Sequence, residues 1–201
     1  MEKRNILAFL LLLPFLTFGQ ASSIYKVGDK VENFTLTNVV DGSKVSLSGL
    51  SSTKAVVLVF TSHECPYTKI YEQRVKDFVQ EYNQKGVLFL LINSNNPVSN
   101  PEESPEEMAK AAKERGYKSP YLSDASQIVC KQYGASKTPE IFVLKNQSNG
   151  FVVKYKGAID DNPQNATDVT AHYLKDALDA ILNNQPVKIT EKRASGCMIH
   201  Q

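Results

Sequence analysis

Apolar residues along the chain alternate, run together or recur at helical spacing, and these three patterns divide it into elements. Two alternating segments, Phe34-Thr35-Leu36-Thr37 and Lys44-Val45-Ser46-Leu47, flank Asp41-Gly42 and predict a β-hairpin laid on the main domain. Ala55 to Phe60 and Val87 to Ile92 are continuous aliphatic runs, as expected of strands buried on both faces of a parallel sheet. Between them Tyr71, Val75, Phe78, Val79 and Tyr82 mark one face of a helix that Gly86 ends, giving a right-handed strand-helix-strand unit. Asn93 to Pro105 is a polar loop closed by Ser104-Pro105-Glu106-Glu107, where a capping serine, a first-turn proline and a back-bonding glutamate start a helix that runs to about Arg115. Asp124 predicts the cap of a short helix over Ile128 to Tyr133 that closes at Gly134. Ile141 to Leu144 and Phe151 to Tyr155, separated by Asn146 to Gly150, read as an antiparallel pair. Val169, Tyr173, Leu174, Ala177, Leu178 and Ile181 then give an amphipathic helix that stops before Pro186. The tail beyond it has little apolar content and is expected to be mobile unless a cysteine ties it down.

The order of these elements is the connectivity of an α/β thioredoxin fold: a central mixed sheet flanked by helices, preceded by a β-hairpin. Val27-Gly28-Asp29 with Phe34-Thr35-Leu36, Cys65-Pro66-Tyr67, Asn93-Ser94-Asn95, Lys137-Thr138-Pro139 and Gly157 to Pro163 carry a family likeness as well. On these motifs the chain resembles the exported thioredoxin-like proteins of the redoxin group, related to the alkyl hydroperoxide reductase and thiol-specific antioxidant family.

The first residues change the picture of where the protein works. Glu2-Lys3-Arg4-Asn5, then thirteen mostly apolar residues from Ile6 to Phe18, then Gly19-Gln20-Ala21-Ser22 have the layout of a secretory signal over residues 1–21. The apolar core is shorter than the ~20 residues of a membrane span and contains Pro14. The expected product is a periplasmic or extracellular protein without a membrane span, with a redoxin domain over residues 24–184 and a tail over 185–201. The formal charge is +2, of which Lys3, Arg4 and Glu2 supply +1. So even a balance, with acids and bases interspersed, excludes an electrostatic case for nucleic acid.

Three cysteines, Cys65, Cys130 and Cys197, are too few for a disulfide scaffold even in an oxidising compartment. Cys65 follows a buried strand and directly precedes Pro66 at a helix start. There the positive end of the helix dipole favours thiolate over thiol, which marks Cys65 as the reactive sulfur rather than a core residue. Ser62-His63-Glu64-Cys65 keeps only the second cysteine of the thioredoxin Cys-x-x-Cys pattern, so dithiol cycling within the motif is excluded. The resemblance to peroxiredoxins instead implies a threonine or serine at the first position and the attacking cysteine at the fourth. Ser62 then either donates its hydroxyl to the thiolate or simply caps the helix entry. Two departures from that pattern leave a peroxiredoxin-like peroxidase open but not assumed: Leu58 replaces the proline expected four positions ahead of Ser62, and no arginine lies near Ile141.

By the same resemblance Thr138-Pro139 carries the cis-proline that faces the active-site cysteine, and with Pro66 and Tyr67 it would line a site for an extended substrate. Cys197, flanked by Gly196, is the cysteine free enough to reach Cys65; it either resolves the oxidised form of Cys65, links two chains or is a dangling tail thiol, while Cys130 sits among apolar neighbours and reads as core. His63, Cys65, Cys197 and His200 would suit zinc or copper but lack paired-cysteine spacing, so no metal or other cofactor is assigned. The function implied is a thiol oxidoreductase of redoxin type, served by an external thiol reductant or a redox partner protein. The alternative is a non-catalytic module of the same fold that binds peptides or handles copper or zinc.

Overall fold

A computed structural model describes residues 24–200, so the signal expected over residues 1–21 lies outside the described residues. The hairpin forms as β1 (Thr35–Asn38) and β2 (Lys44–Ser46), with Thr35 opposite Ser46. β3 (Ala55–Phe60), α1 (Pro66–Asn83) and β4 (Val87–Asn93) are the crossover unit. They are followed by α2 (Pro105–Arg115), β5 (Tyr121–Ser123) and α3 (Ile128–Tyr133). The chain continues through β6 (Lys137–Thr138), β7 (Glu140–Gln147), β8 (Gly150–Gly157), α4 (Tyr173–Leu182), β9 (Glu191–Lys192) and β10 (Cys197–Met198). One eight-stranded sheet runs in the order β2-β1-β5-β4-β3-β7-β8-β9, and β10 pairs with β6 beside it. This is the thioredoxin fold, a mixed sheet flanked by helices.

Its two faces follow from the alternation of side chains along β3. Ala55, Val57 and Val59 point to the side covered by α1, α2 and α4, where they meet Tyr82, Phe89, Met108 and Leu178. Val56, Leu58 and Phe60 point the other way, to Val31, Phe34, Tyr133 and Phe142 beneath α3 and the N-terminal segment. Burial on both faces explains the unbroken apolar run. Leu58 lies between Leu90 of β4 and Phe142 of β7, a central position where a proline would cost a ladder hydrogen bond.

Four features differ from the periodicity reading. The hairpin does not lie on the domain as a separate unit: β1 pairs with β5 and extends the sheet. β5, three residues long, is too short to show a pattern of its own. β7 and β8 are joined by only Ser148 and Asn149, because residues 146, 147 and 150 belong to the ladder. Val169 closes a one-turn 3₁₀ helix (Ala166–Asp168), and α4 starts only at Tyr173. Local polar bonds compete with helix there: Asn165 Oδ1 accepts the Thr167 N–H, and Asp161 accepts the Thr170 N–H at 2.9 Å.

The tail is an ordered part of the sheet. β9 runs parallel to the end of β8, with Lys156 N–H donating to the Thr190 carbonyl and Ala158 N–H to the Lys192 carbonyl, both at 3.0 Å. Gly157, at φ +121°, makes this approach possible, since a Cβ there would stand 1.6 Å from the Lys192 carbonyl oxygen. Gly157→Ala is therefore expected to lower stability by about 2–4 kcal/mol in urea unfolding. An unchanged midpoint would contradict the docked tail.

On the opposite face Cys130 of α3 is buried, and Asp124 accepts its N–H at 2.9 Å. Burial, and then the Asp124 carboxylate, push its thiol from the ordinary 9.0 up to about 11. The folded protein thus holds this proton at pH values where the unfolded chain has released it. Stability is untouched by this group below pH 9 and falls as pH climbs toward about 11. With the native protein at pH 8, iodoacetamide is expected to leave Cys130 unlabelled until urea is added; labelling at the rate of an unfolded thiol would contradict this.

Candidate functional site

The site forms where strand ends meet. β4 is parallel to β3 with Ile92 opposite Phe60, so Asn93 to Asn95 emerge beside Thr61 to His63. β7 is antiparallel to β3 with Glu140 opposite Phe60, so the residues just before β7, Thr138 and Pro139, also face the turn after β3. β5 adds its C-terminal end through the pairing of Asn93 with Ser123. The sheet register thus gathers loops that are up to 78 residues apart in sequence, Thr61 to Pro139, into one edge.

Cys65 is the N-cap of α1, with Pro66 in the first turn, and is 4% exposed. Its sulfur is bonded to that of Cys197, 132 residues away, across a Cα–Cα distance of 6.0 Å. Cys65 Sγ also lies 3.1 Å from the Thr138 carbonyl oxygen, and the Thr138–Pro139 peptide bond is cis. Opposite Thr138, in the antiparallel ladder of β6 and β10, stands Cys197 itself. The tail therefore occupies the strand edge at the cis-proline loop, the place where the resemblance puts an extended substrate. Gly196 permits it, because a Cβ there would come within 2.2 Å of the Thr138 carbonyl oxygen. Beyond the disulfide, Ile199 N–H donates to the Ser136 carbonyl, and the His200 carbonyl accepts from Asn96 N–H and from Gln127 Nε2.

Ser62 is turned away from a donor role toward sulfur. Its Oγ accepts the N–H groups of Glu64 and Cys65, each at 3.1 Å, and donates its own hydrogen to the buried carboxylate of Glu103. In this oxidised form the serine caps the turn. His63 is buried with Nε2 2.8 Å from the Glu102 carbonyl, which can only accept. Its Nδ1 faces Glu103 Oε2 at 3.1 Å and the Tyr121 hydroxyl at 3.2 Å. Burial, and then the nearby Glu103 carboxylate, push the Tyr121 phenol well above its usual range, so it stays a neutral hydroxyl.

The structure brings Cys65, Ser62, Cys197, Thr138, Pro139 and Pro66 together; Tyr67 follows in the first turn of α1 and is partly buried. It does not gather His63, Cys65, Cys197 and His200 into a metal centre. Both sulfurs are committed to each other, and among the described residues no cluster of three or more His, Cys, Asp and Glu side chains could hold a metal ion. Glu103 and Arg115 escaped sequence reasoning. Arg115, at the end of α2, donates to the His63 carbonyl at 2.7 Å and pairs with Glu72 at 3.2 Å, holding the loop from its far side. Asp160 accepts the Asn162 N–H at 3.1 Å in a local turn and is buried against Arg74 at 2.6 Å and the Tyr71 hydroxyl at 2.7 Å, bracing α1. Only a three-dimensional arrangement signals such partners, since Arg115 and Asp160 lie more than 40 residues from the groups they meet, as Glu103 does from Ser62.

Among solved structures the chain is similar to an uncharacterized conserved protein from Geobacillus kaustophilus, with 38% identity and a TM-score of 0.81, covering 90% of this chain and 94% of that one. A hypothetical protein from Sinorhizobium meliloti 1021 is 33% identical with a TM-score of 0.79, covering 89% and 96%. At 19% identity, a putative thiol:disulfide interchange protein DsbE from Chlorobium tepidum shares the fold, with a TM-score of 0.60 over 80% of this chain and 99% of that one. Among curated proteins no match is found. The family model described as AhpC/TSA matches residues 27–161, which span the Cys65 turn, the strand ends around it and the cis-proline loop, and the chain belongs to that family.

Proposed function

We propose that the protein is an exported thiol oxidoreductase of redoxin type, in which Cys65 is the redox-active sulfur and Cys197 resolves its oxidised form. The observation that carries this reading is the Cys65–Cys197 bond at the helix start, against the cis-proline loop. Membership of the AhpC/TSA family supports a peroxide or a disulfide as the oxidant class. With hydrogen peroxide, the Cys65 thiolate attacks one oxygen, the O–O bond breaks, and the products are a sulfenic acid and, after protonation, water. The Cys197 sulfur then attacks the sulfenic sulfur, expelling the oxygen as a second water and closing the disulfide. An external thiol reductant or a redox partner protein returns two electrons and two protons, and opens the bond. The tail thus supplies the second sulfur that the motif lacks.

The export half of the proposal rests on the charged, apolar and small-residue order of residues 1–21. It agrees with a disulfide as the resting form, which an oxidising compartment maintains. No helix among the described residues is long and apolar enough to cross a membrane.

Mass mapping of the reduced protein after one equivalent of hydrogen peroxide tests the assignment. Wild type is expected to yield the Cys65–Cys197 disulfide, and Cys197→Ser to accumulate sulfenic acid on Cys65. Oxidation confined to Cys197 would overturn it.

A further inference from the structure

Glu103 is a carboxylate buried to 6% exposure just ahead of α2, and nothing in the reaction above uses it. A charge removed from water is retained only where donors replace its hydration, and Glu103 draws three of them from two loops, with His63 beside it. Oε1 accepts from the Ser62 hydroxyl and from Asn95 Nδ2 at 3.0 Å; Oε2 accepts from Asn93 Nδ2 at 2.7 Å and faces His63 Nδ1 at 3.1 Å.

Two of these partners lead to the two cysteines. Ser62, with its hydrogen committed to Glu103, presents lone pairs to the N–H groups of Glu64 and Cys65, so the carboxylate sets the turn that carries the first sulfur. Asn95, with its amide nitrogen on Glu103, presents Oδ1 to the His200 N–H at 2.8 Å, three residues beyond Cys197. One carboxylate therefore ties down both segments whose sulfurs must meet. Without it the serine hydroxyl and the asparagine amide are free to rotate, and both cysteines lose part of their placement.

We propose that Glu103 is a positioning residue for the Cys65–Cys197 pair: by holding the Ser62 turn and, through Asn95, the end of the tail, it raises the effective concentration of one sulfur at the other. This rests on the reading of Cys65 and Cys197 as the reacting pair. The equilibrium with an external dithiol measures that concentration directly. In this exchange the Sγ–Sγ bond breaks, Cys65 and Cys197 each gain a hydrogen, and dithiothreitol gives up two and closes to its cyclic disulfide.

The test titrates the full chain with mixtures of reduced and oxidised dithiothreitol and counts free thiols by trapping and mass. Glu103→Ala is expected to become half-reduced at about one tenth of the reduced-to-oxidised ratio that wild type needs, the scale of a lost hydrogen bond to a charged group. Glu103→Gln keeps an acceptor oxygen for Ser62 and Asn95 and should remain within about threefold of wild type, while the exposed Glu107→Ala should not shift. If Glu103→Ala fails to fold, Asn95→Ala severs only the branch to the tail and should shift in the same direction. Coincidence of Glu103→Ala with wild type, or of Asn95→Ala where it replaces it, overturns the role of Glu103 alone. A wild-type protein whose Cys65–Cys197 bond does not exchange with the dithiol overturns the functional reading, and this one with it.

Discussion

Everything at the active edge depends on how β3 is paired. Six consecutive residues, Ala55 to Phe60, are at most 1% exposed, and burying the Val, Leu and Phe side chains among them contributes about 1.5–3 kcal/mol each. The strand is parallel to β4 on one side and antiparallel to β7 on the other. That combination forces the exit of β4 and the entrance of β7 to the same end as the exit of β3. A slip of one residue would exchange the two faces of the core, so apolar packing locks the register and the register places the loops. Leu58, which departs from the peroxiredoxin pattern, belongs to this lock rather than to the chemistry.

What collects at that edge is polar, and it is satisfied almost entirely from within. Ser62, His63, Asn93, Asn95 and Tyr121 surround Glu103, and all are buried. Networks of this kind are costly when incomplete and rigid when complete, because a low local dielectric magnifies every made and missing bond. Here rigidity has a use. The turn before Cys65 cannot rely on a second cysteine within the motif, so its partner must come from a tail whose approach is assembled from backbone pairing, two glycines that leave room, and the Asn95 contact. The same tail covers the strand edge at Thr138, so in the oxidised protein that edge is already paired.

Fold and site were legible to different depths. Long apolar runs and helical spacing specify β3, β4, α1, α2 and the connectivity, because these signals are local and repeat over many residues. The cap at Ser104, with its N–H from Glu107, and the left-handed Gly116 behave as their residue types demand. The very short strands β5, β6, β9 and β10 carry no period that a sequence can display.

The sequence by itself determined the architecture, singled out Cys65 at a helix start, and excluded a dithiol within the motif through Ser62. Only the tertiary structure decided what those residues touch. Glu103 and Arg115 carry no signal in the sequence until the turn ahead of α2 and the end of α2 lay them against the Cys65 turn, and the tail reads as loose until Gly157 and Gly196 admit it to the sheet. The reason is physical: propensity and hydrophobic period are properties of neighbours along the chain, whereas a buried carboxylate or a disulfide across 132 residues depends on the register of strands that pair only after folding.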